Sequence, residues 1–579
     1  MKDRVWKLPV AAILAIVAAA NLKLNAQYAP APLSTQTIVI SGGTLIDGTG
    51  RQPVPDSVIV VQGNRIQSVV QRGRLSIPAG AQTIDATGKF VLPGFIDSHV
   101  HYNDWGAELQ LAYGVTSVID NGSPTEWILA IRDGIAKGKM IGPRIFASGD
   151  QLGIKPEVAA QNPEEARRSV RNLIAKGVNK IAATTLQDPA TLQAIVEEAE
   201  QANIPVSGYS MYPREAMAAG VGALEHCYSI AIASKKDLKL LEEIRQEQMR
   251  RRHRYEKNPL HYLVEPNLDD FIDLLVKKGS YLLPDLEFDY KVINDRAKEF
   301  EQESFQLLTN PGLRYLPIDD YIPQILMYSD SALPRPGAVG LFGTLDRSST
   351  EFRRYRQSYR NLQGFIKKLV QAGGKVLAGP DSPNMLLPGL SFHHELQLLG
   401  DAGLTPMQVI LAATQWPATF LRQQKKIGTV EEGKLADLVI VRANPLDDVK
   451  NLRNIDTVIK DGIIQDRTFH PDYNPVFPRP EPNSSQMNQP PVVSDISPRA
   501  ATEGDTEVRL TVLGKEFVKE ASVIFDGERV PTTWWKHTEV RATIPARMLT
   551  RPGMHSVAIW NPKPLGGMSN ELKFVIRFR

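Results

Sequence analysis

The sequence predicts an α/β protein built on a (β/α)8 barrel, with a separate all-β module at its C-terminal end. Three observations carry this. From Phe90 to about Gln424, short apolar runs alternate with amphipathic stretches, as strand–helix units do. The first of these runs ends in His99-Val100-His101, two histidines whose spacing puts both side chains on one face of a strand. From Pro491 onward, short alternating strands and turn residues recur at regular spacing.

At 579 residues the chain is too long for one core, and about three or four domains are expected. Hydrophobic residues make up 42% and charged residues 23%, an ordinary globular balance. The net charge of +3 is the difference between 67 basic and 64 acidic residues, so there is no overall basic field to attract nucleic acid. The cluster Arg250-Arg251-Arg252-His253-Arg254 reads as a solvated helix face. Cys227 is the sole cysteine, which excludes a disulfide within the chain.

Lys2, Arg4 and Lys7 precede an apolar run from Leu8 to Ala20, followed by Leu24-Asn25-Ala26. Residues 1–26 therefore read as a secretory signal peptide cleaved after Ala26, giving an exported, periplasmic or extracellular, protein. Leu24 is larger than the residue usual there, so an uncleaved N-terminal anchor is the alternative. The apolar run is short for a spanning helix, which takes about 18 residues.

Residues 27–89 open with an Ala/Pro/Ser-rich linker and continue in β-rich runs. Gly63-Asn64 sits between two of them like a hairpin turn. Residues 90–424 form the barrel. Runs beginning at Arg144, Val178, Ile204 and Lys375 read as its strands. Pro163–Lys176 and Asp188–Ala202 read as helices, the first capped by Asn162 with proline at its first position. An insertion at about 235–360 exceeds one barrel unit, and its proline- and glycine-bearing part is expected to fold over the barrel mouth. Residues 425–471 return to β-rich character, 472–490 are a Pro/Asn-rich linker, and 491–579 are the C-terminal module.

Chemistry in such a barrel sits at the C-terminal ends of the strands. His99 and His101 end the first strand, His226 closes Ala223-Leu-Glu-His, and Asp381 closes Leu377-Ala-Gly-Pro-Asp. Two neutral imidazoles on one face can hold a divalent metal.

The run Pro93-Gly94-Phe95-Ile96-Asp97-Ser98-His99-Val100-His101, with the later run from Gly428 to Val441, resembles the metal-dependent amidohydrolase superfamily. The resemblance extends from about Thr37 to about Arg467. Gly400-Asp-Ala-Gly-Leu-Thr-Pro and Ala412-Ala-Thr-Gln-Trp-Pro-Ala are similar in style to its imidazolonepropionase and Xaa-Pro dipeptidase-like branch. It implies a β-sandwich beside the barrel, composed of residues 27–89 and 425–471. It implies that His99, His101 and Asp381 ligate metal, with Asp381 also taking the proton of the attacking water. His226 stands where relatives carry a further ligand. His393 lies where many have a histidine that supports the site from behind or packs its helix.

Two ligands of two-metal relatives are replaced. Ala182 stands at the place of the strand-four lysine, which is carboxylated and bridges the ions. Lys180 lies two residues earlier with the same inward parity, about 6–7 Å deeper, and its long side chain is the candidate to stand in partly for that lysine. Tyr209 stands at the place of the strand-five histidine. The remaining set predicts one divalent metal, zinc, on His99, His101 and Asp381, which suffices for a catalytic site with water. His226 is then left to polarise a carbonyl or stabilise an oxyanion. The expected reaction is hydrolysis of a C–N bond in an amide, cyclic amide or proline-containing dipeptide. The alternative is an inactive barrel used for binding.

The C-terminal module resembles the immunoglobulin-like IPT/TIG domain through Ile496-Ser-Pro, Gly514-Lys-Glu-Phe, Val523-Ile-Phe-Asp-Gly, Ile544-Pro-Ala and Trp560-Asn-Pro, with Gly567-Met-Ser-Asn after them. A surface glycan or a protein is its expected partner.

Overall fold

The structure is a computed structural model. It describes residues 37–579 except 154–157, 184–187, 236, 238, 240, 244–263, 292, 317–347, 384–385, 474–490, 519–520 and 562–566. The expected signal peptide, the basic cluster at 250–254, most of the 472–490 linker and the turn-rich part of the insertion lie outside these residues. Among the described residues no helix is long and apolar enough to cross a membrane. The chain divides into two compact units, the second containing residues 479–579.

In the first unit, β1 (Thr37–Leu45), β2 (Val54–Gln62), β3 (Arg65–Gln71), β4 (Gln82–Asp85) and β5 (Phe90–Pro93) come from the N-terminal part. Val, Ile and Thr fill them, as suits a pleated, half-buried surface. Gln62 pairs with Arg65, so Gly63 and Asn64 form the hairpin turn that their types predict. Gly63 has φ +58°, a conformation its missing Cβ permits.

Later in the chain come β14 (Leu438–Val441), β15 (Ile455–Lys460) and β16 (Ile463–Ile464). β14 lies antiparallel to β5, joining the two distant pieces into one mixed sheet of eight strands. One face buries Ile38, Ile40, Ile59, Val61, Leu438 and Ile440, and the other buries Val39, Val58 and Val60.

The barrel strands are β6 (Phe95–Val100), β7 (Val115–Asp120), β8 (Arg144–Phe146), β9 (Ile181–Ala183), β10 (Val206–Gly208), β11 (Ala223–Glu225), β12 (Tyr281–Leu283) and β13 (Lys375–Val376). They pair in parallel as β6-β7-β8 and as β9-β10-β11-β12-β13. Single parallel bridges span the two seams, Leu152 with Ala183 and Val100 with Ser382. These strands are buried on both faces, hence their continuous apolar runs.

Helices pack outside them. Pro163–Lys176 begins at Asn162, whose side chain accepts the Glu165 amide hydrogen at 3.0 Å, and ends at Gly177 in the left-handed region. Pro189–Gln201 begins at Asp188, which accepts from Ala190 and Thr191. Within the insertion, the helix Asp269–Lys278 leads into β12, and the long helix Thr350–Gln371 leads into β13.

The second unit holds two sheets, in which β17 (Val492–Ser497), β18 (Ala500–Thr502), β19 (Glu507–Lys515), β20 (Ser522–Phe525), β21 (Glu528–Arg529), β22 (Thr532–Lys536), β23 (Glu539–Pro545), β24 (Gly553–Trp560) and β25 (Leu572–Arg577) take the orders β17-β19-β23-β22 and β18-β25-β24-β20-β21. Alternate residues of each bury a common core that includes Val512, Val523, Phe525, Val540, Ile544 and Phe574.

Candidate metal centre

The centre is built where the barrel's first and last strands meet. The Ser98 amide donates to the Ala378 carbonyl, the Asp381 amide to His99 and the His101 amide to Ser382, at 2.9, 3.1 and 2.7 Å. Gly379 makes this approach possible, because a Cβ there would lie 2.5 Å from the His99 backbone nitrogen. Only a residue without a side chain fits.

His99 Nε2 and His101 Nε2 come to 3.5 and 3.1 Å of the same Asp381 oxygen, Oδ1. The other oxygen, Oδ2, faces His226 Nε2 across 4.0 Å. His99 is 1% exposed and Asp381 3%, whereas His101 is half-buried and opens the cluster toward solvent. His226, Asp285 and Asp381 all have positive φ, at +62°, +49° and +65°. For non-glycine residues such left-handed conformations concentrate at functional sites.

Asp285, just past β12, ties the imidazoles together. Its Oδ1 accepts from His99 Nδ1 at 2.9 Å. Its Oδ2 accepts the His226 amide hydrogen at 3.1 Å and lies 3.3 Å from His226 Nδ1. Asp289 Oδ2 lies 3.4 Å from that same nitrogen and accepts from the Cys227 amide. Buried Glu395 in turn accepts the amides of Leu286 and Glu287, fixing the turn that aims Asp285. Carboxylates behind both rings favour hydrogen on Nδ1 and leave each Nε2 an acceptor; that of His99 lies 2.9 Å from Asn121 Nδ2 as well as 3.5 Å from Asp381.

The electrostatics call for a cation. Burial opposes charge on the imidazoles, yet the carboxylates of Asp285 and Asp381 outweigh it and raise His99 to about 9. Asp285 and Asp289 raise His226 to about 10 in the same way. Burial opposes ionisation of Asp381 too, but His99 and His101 hold it down to about 2. Burial raises Asp285 itself, against the opposing pull of His99 and His226, so protons on the rings offset part of the buried negative charge, as a divalent ion would.

The donor set fits such an ion. Bonds of about 2.0–2.1 Å in a tetrahedron place ligand atoms about 3.3 Å apart, between the two separations at Asp381 Oδ1. A second group, His99, His226 and Asp285, also has its donor atoms within 4.8 Å of one another. Its Asp285 Oδ1 already accepts from the His99 ring and its Oδ2 from the His226 amide.

Lys180 is buried behind this cluster, with Nζ 3.0 Å from Asn121 Oδ1 and 3.3 Å from Glu225 Oε1, and Asn121 Nδ2 lies 2.9 Å from His99 Nε2. Tyr209 packs edge-on against the His226 ring at 5.3 Å. His393 is not brought to the cluster. Its Nε2–H donates to the Tyr113 carbonyl at 2.8 Å, its ring packs on Phe95 and Phe392, and burial lowers it to about 3.

Sequence reasoning did not single out Asp285, Asp289, Asn121 or Glu225. Asp285 follows Tyr281-Leu-Leu-Pro at a strand's C-terminal end, the one signal that could have found it.

Residues 320–464 match the amidohydrolase family and residues 491–576 the IPT/TIG domain. A stretch of 71 residues is 45% identical to a dihydroorotase of Trichlorobacter lovleyi and spans 12% of this chain and only 16% of that relative's length. A 5-methylthioadenosine/S-adenosylhomocysteine deaminase of Symbiobacterium thermophilum is 22% identical over 434 residues, covering 70% of this chain and 86% of the relative. Among solved structures, a Xaa-Pro dipeptidase with methionine bound in its active site superposes with a TM-score of 0.52 at 22% identity, covering 74% of this chain and 100% of that one.

Proposed function

For a chain that carries an amidohydrolase family domain and a C-terminal IPT/TIG domain, we propose hydrolysis of a C–N bond at a centre holding one divalent metal, zinc. The observation that carries the reading is the convergence of His99 Nε2 and His101 Nε2 on Asp381 Oδ1, at separations a single ion can bridge. Ala182 and Tyr209, at the places of two further ligands, support one ion rather than two.

A divalent ion on these ligands supplies a Lewis acid that brings the pKa of a water toward about 7. The protein's own groups do the rest. Asp381 takes the water's proton at Oδ2 and passes it to the leaving nitrogen. His226 presents Nε2 to the same space, with Asp285 and Asp289 holding it from behind, and stabilises the oxyanion that forms on the substrate carbonyl. His101, the half-buried member, marks the side from which substrate arrives.

The substrate class is an amide, a cyclic amide or a proline-containing dipeptide, and the proposal includes export by residues 1–26. The IPT/TIG domain, in which no cluster of candidate metal ligands occurs among the described residues, is assigned to binding a surface glycan or a protein. A panel of N-acyl amino acids, cyclic amides and Xaa-Pro dipeptides, assayed with zinc and after chelation, tests the reading. Metal-dependent release of an amine is expected. A protein that binds zinc yet hydrolyses none of them would return the barrel to a binding role.

A further inference from the structure

A buried imidazole that the mechanism above does not use bridges two parts of the chain behind the centre. His394, on the helix Leu390–Asp401, is 1% exposed. Its Nδ1 lies 3.2 Å from Glu287 Oε1 and its Nε2 2.8 Å from Glu303 Oε2. The ring lies flat on Phe300, with centroids 3.8 Å apart and planes 6° apart. Phe300 and Glu303 belong to the helix Ala297–Leu308 of the insertion. Glu303 is gripped in turn by both terminal nitrogens of Arg453, which lies between β14 and β15.

A neutral imidazole carries one N–H, whereas here both nitrogens face a carboxyl oxygen. Burial opposes a second proton, but Glu287 and Glu303 outweigh it and raise the ring above its ordinary value. Burial likewise opposes ionisation of Glu303, which Arg453 and His394 hold well below the usual carboxylate range.

Glu287 lies in the single helical turn Leu286–Asp289, and that turn carries the carboxylates that orient the centre. Asp285 precedes it at φ +49°, with Oδ1 on His99 and Oδ2 on the His226 amide. Asp289 ends it, 3.4 Å from His226 Nδ1. Two adjacent residues of one helix grip Glu287, His394 by its side chain and Glu395 by its amide. A functional constellation has to be held within about 0.5 Å. A turn gripped by its amides alone can still rock about them.

We infer that His394 is a positioning residue for the metal centre, pinning the turn Leu286–Asp289 to the insertion helix Ala297–Leu308 and so fixing the aim of Asp285 at His99 and His226. The inference rests on the one-metal reading above and deepens it, since it gives the insertion a part in shaping the centre.

The test uses the full chain and zinc chloride, with the zinc Kd read by competition with a chromophoric chelator. His394→Phe keeps a ring on Phe300 and removes both bridges. It is expected to weaken zinc binding about tenfold, the low end of the cost of losing a partner behind a metal-bound imidazole. Because His394 acts through Asp285, adding His394→Phe to Asp285→Asn is expected to weaken binding by no more than about twofold beyond Asp285→Asn alone. A merely structural role would lower the unfolding midpoint and leave the Kd unchanged, or would add its full effect on top of Asp285→Asn, and either result overturns the inference. If His394→Phe does not fold, the same cycle run with Glu287→Met, which breaks the bridge from its other end with an apolar side chain of similar length, decides on the same terms. Wild type that binds no zinc removes the one-metal reading itself, and the inference with it. One ion in wild type and an unmoved Kd in the variant remove the inference alone.

Discussion

Replacing Asp285 with asparagine should weaken zinc binding about 30-fold. The exchange preserves shape but removes a charge and turns one acceptor into a donor. Asp285 Oδ1 serves His99 Nδ1 at 2.9 Å, and Oδ2 serves the His226 amide at 3.1 Å. One amide oxygen cannot serve both sides. If it faces His99, its NH2 group opposes the His226 N–H. If it faces His226, the NH2 group opposes His99 Nδ1–H and drives that hydrogen to Nε2, the atom directed at Asp381. Losing a buried hydrogen bond to a charged group costs about 1.5–3 kcal/mol. Loss of a carboxylate behind a metal-bound imidazole costs about 10–100-fold in affinity, or about 1.4–2.7 kcal/mol. The ranges overlap near 2 kcal/mol, which is about 30-fold. Competition with a chromophoric chelator measures the zinc Kd, with Asp401→Asn as control because Asp401 pairs with Arg296 at the surface. An Asp285→Asn affinity within about twofold of wild type would refute the orienting role.

Three further expectations follow from the same geometry. His99 and His226, raised to about 9 and about 10, contribute stability to the metal-free protein that is complete below about 6.5 and is lost as pH climbs through those values. Denaturant titration of chelated protein should therefore show falling stability from about pH 7 to 10, while zinc affinity rises because the protons no longer compete; a flat stability profile would contradict the clustered charges. His226→Asn removes the imidazole while keeping a polar side chain and should lower kcat by about 10²–10³; steady-state kinetics with an unchanged kcat would exclude the oxyanion role. Gly379→Ala drives a methyl group into the His99 backbone and should cost about 1–3 kcal/mol with loss of tight zinc binding, read by thermal unfolding and zinc titration; wild-type zinc affinity would show that β13 can move away.

What the sequence revealed were features set by local chemistry. Asn162-Pro163 declared a helix start because a side-chain acceptor and a missing N–H both suit that position. The spacing of His99 and His101 declared a shared face because strand side chains alternate. Strand length was less legible. The apolar run from Lys375 reads as a strand reaching Asp381, yet only Lys375 and Val376 make regular pairs, and Gly379 and Pro380 carry the chain past His99 instead. The polar scaffold was hidden for another reason. Asp285 meets His99 across 186 residues and Lys180 meets Glu225 across 45, and neither contact leaves a periodic trace. The left-handed turns at His226, Asp285 and Asp381 are equally silent, since tertiary hydrogen bonds hold them rather than glycine.

Elemental analysis of protein purified without chelator, run beside His101→Ala, addresses the centre most directly. One equivalent of a divalent ion in wild type, and its loss when the half-buried imidazole is removed, is the outcome expected of two histidines and a carboxylate closing on a single cation. Wild-type protein that stays empty after zinc loading, or a His101→Ala variant that retains its ion undiminished, would contradict that centre.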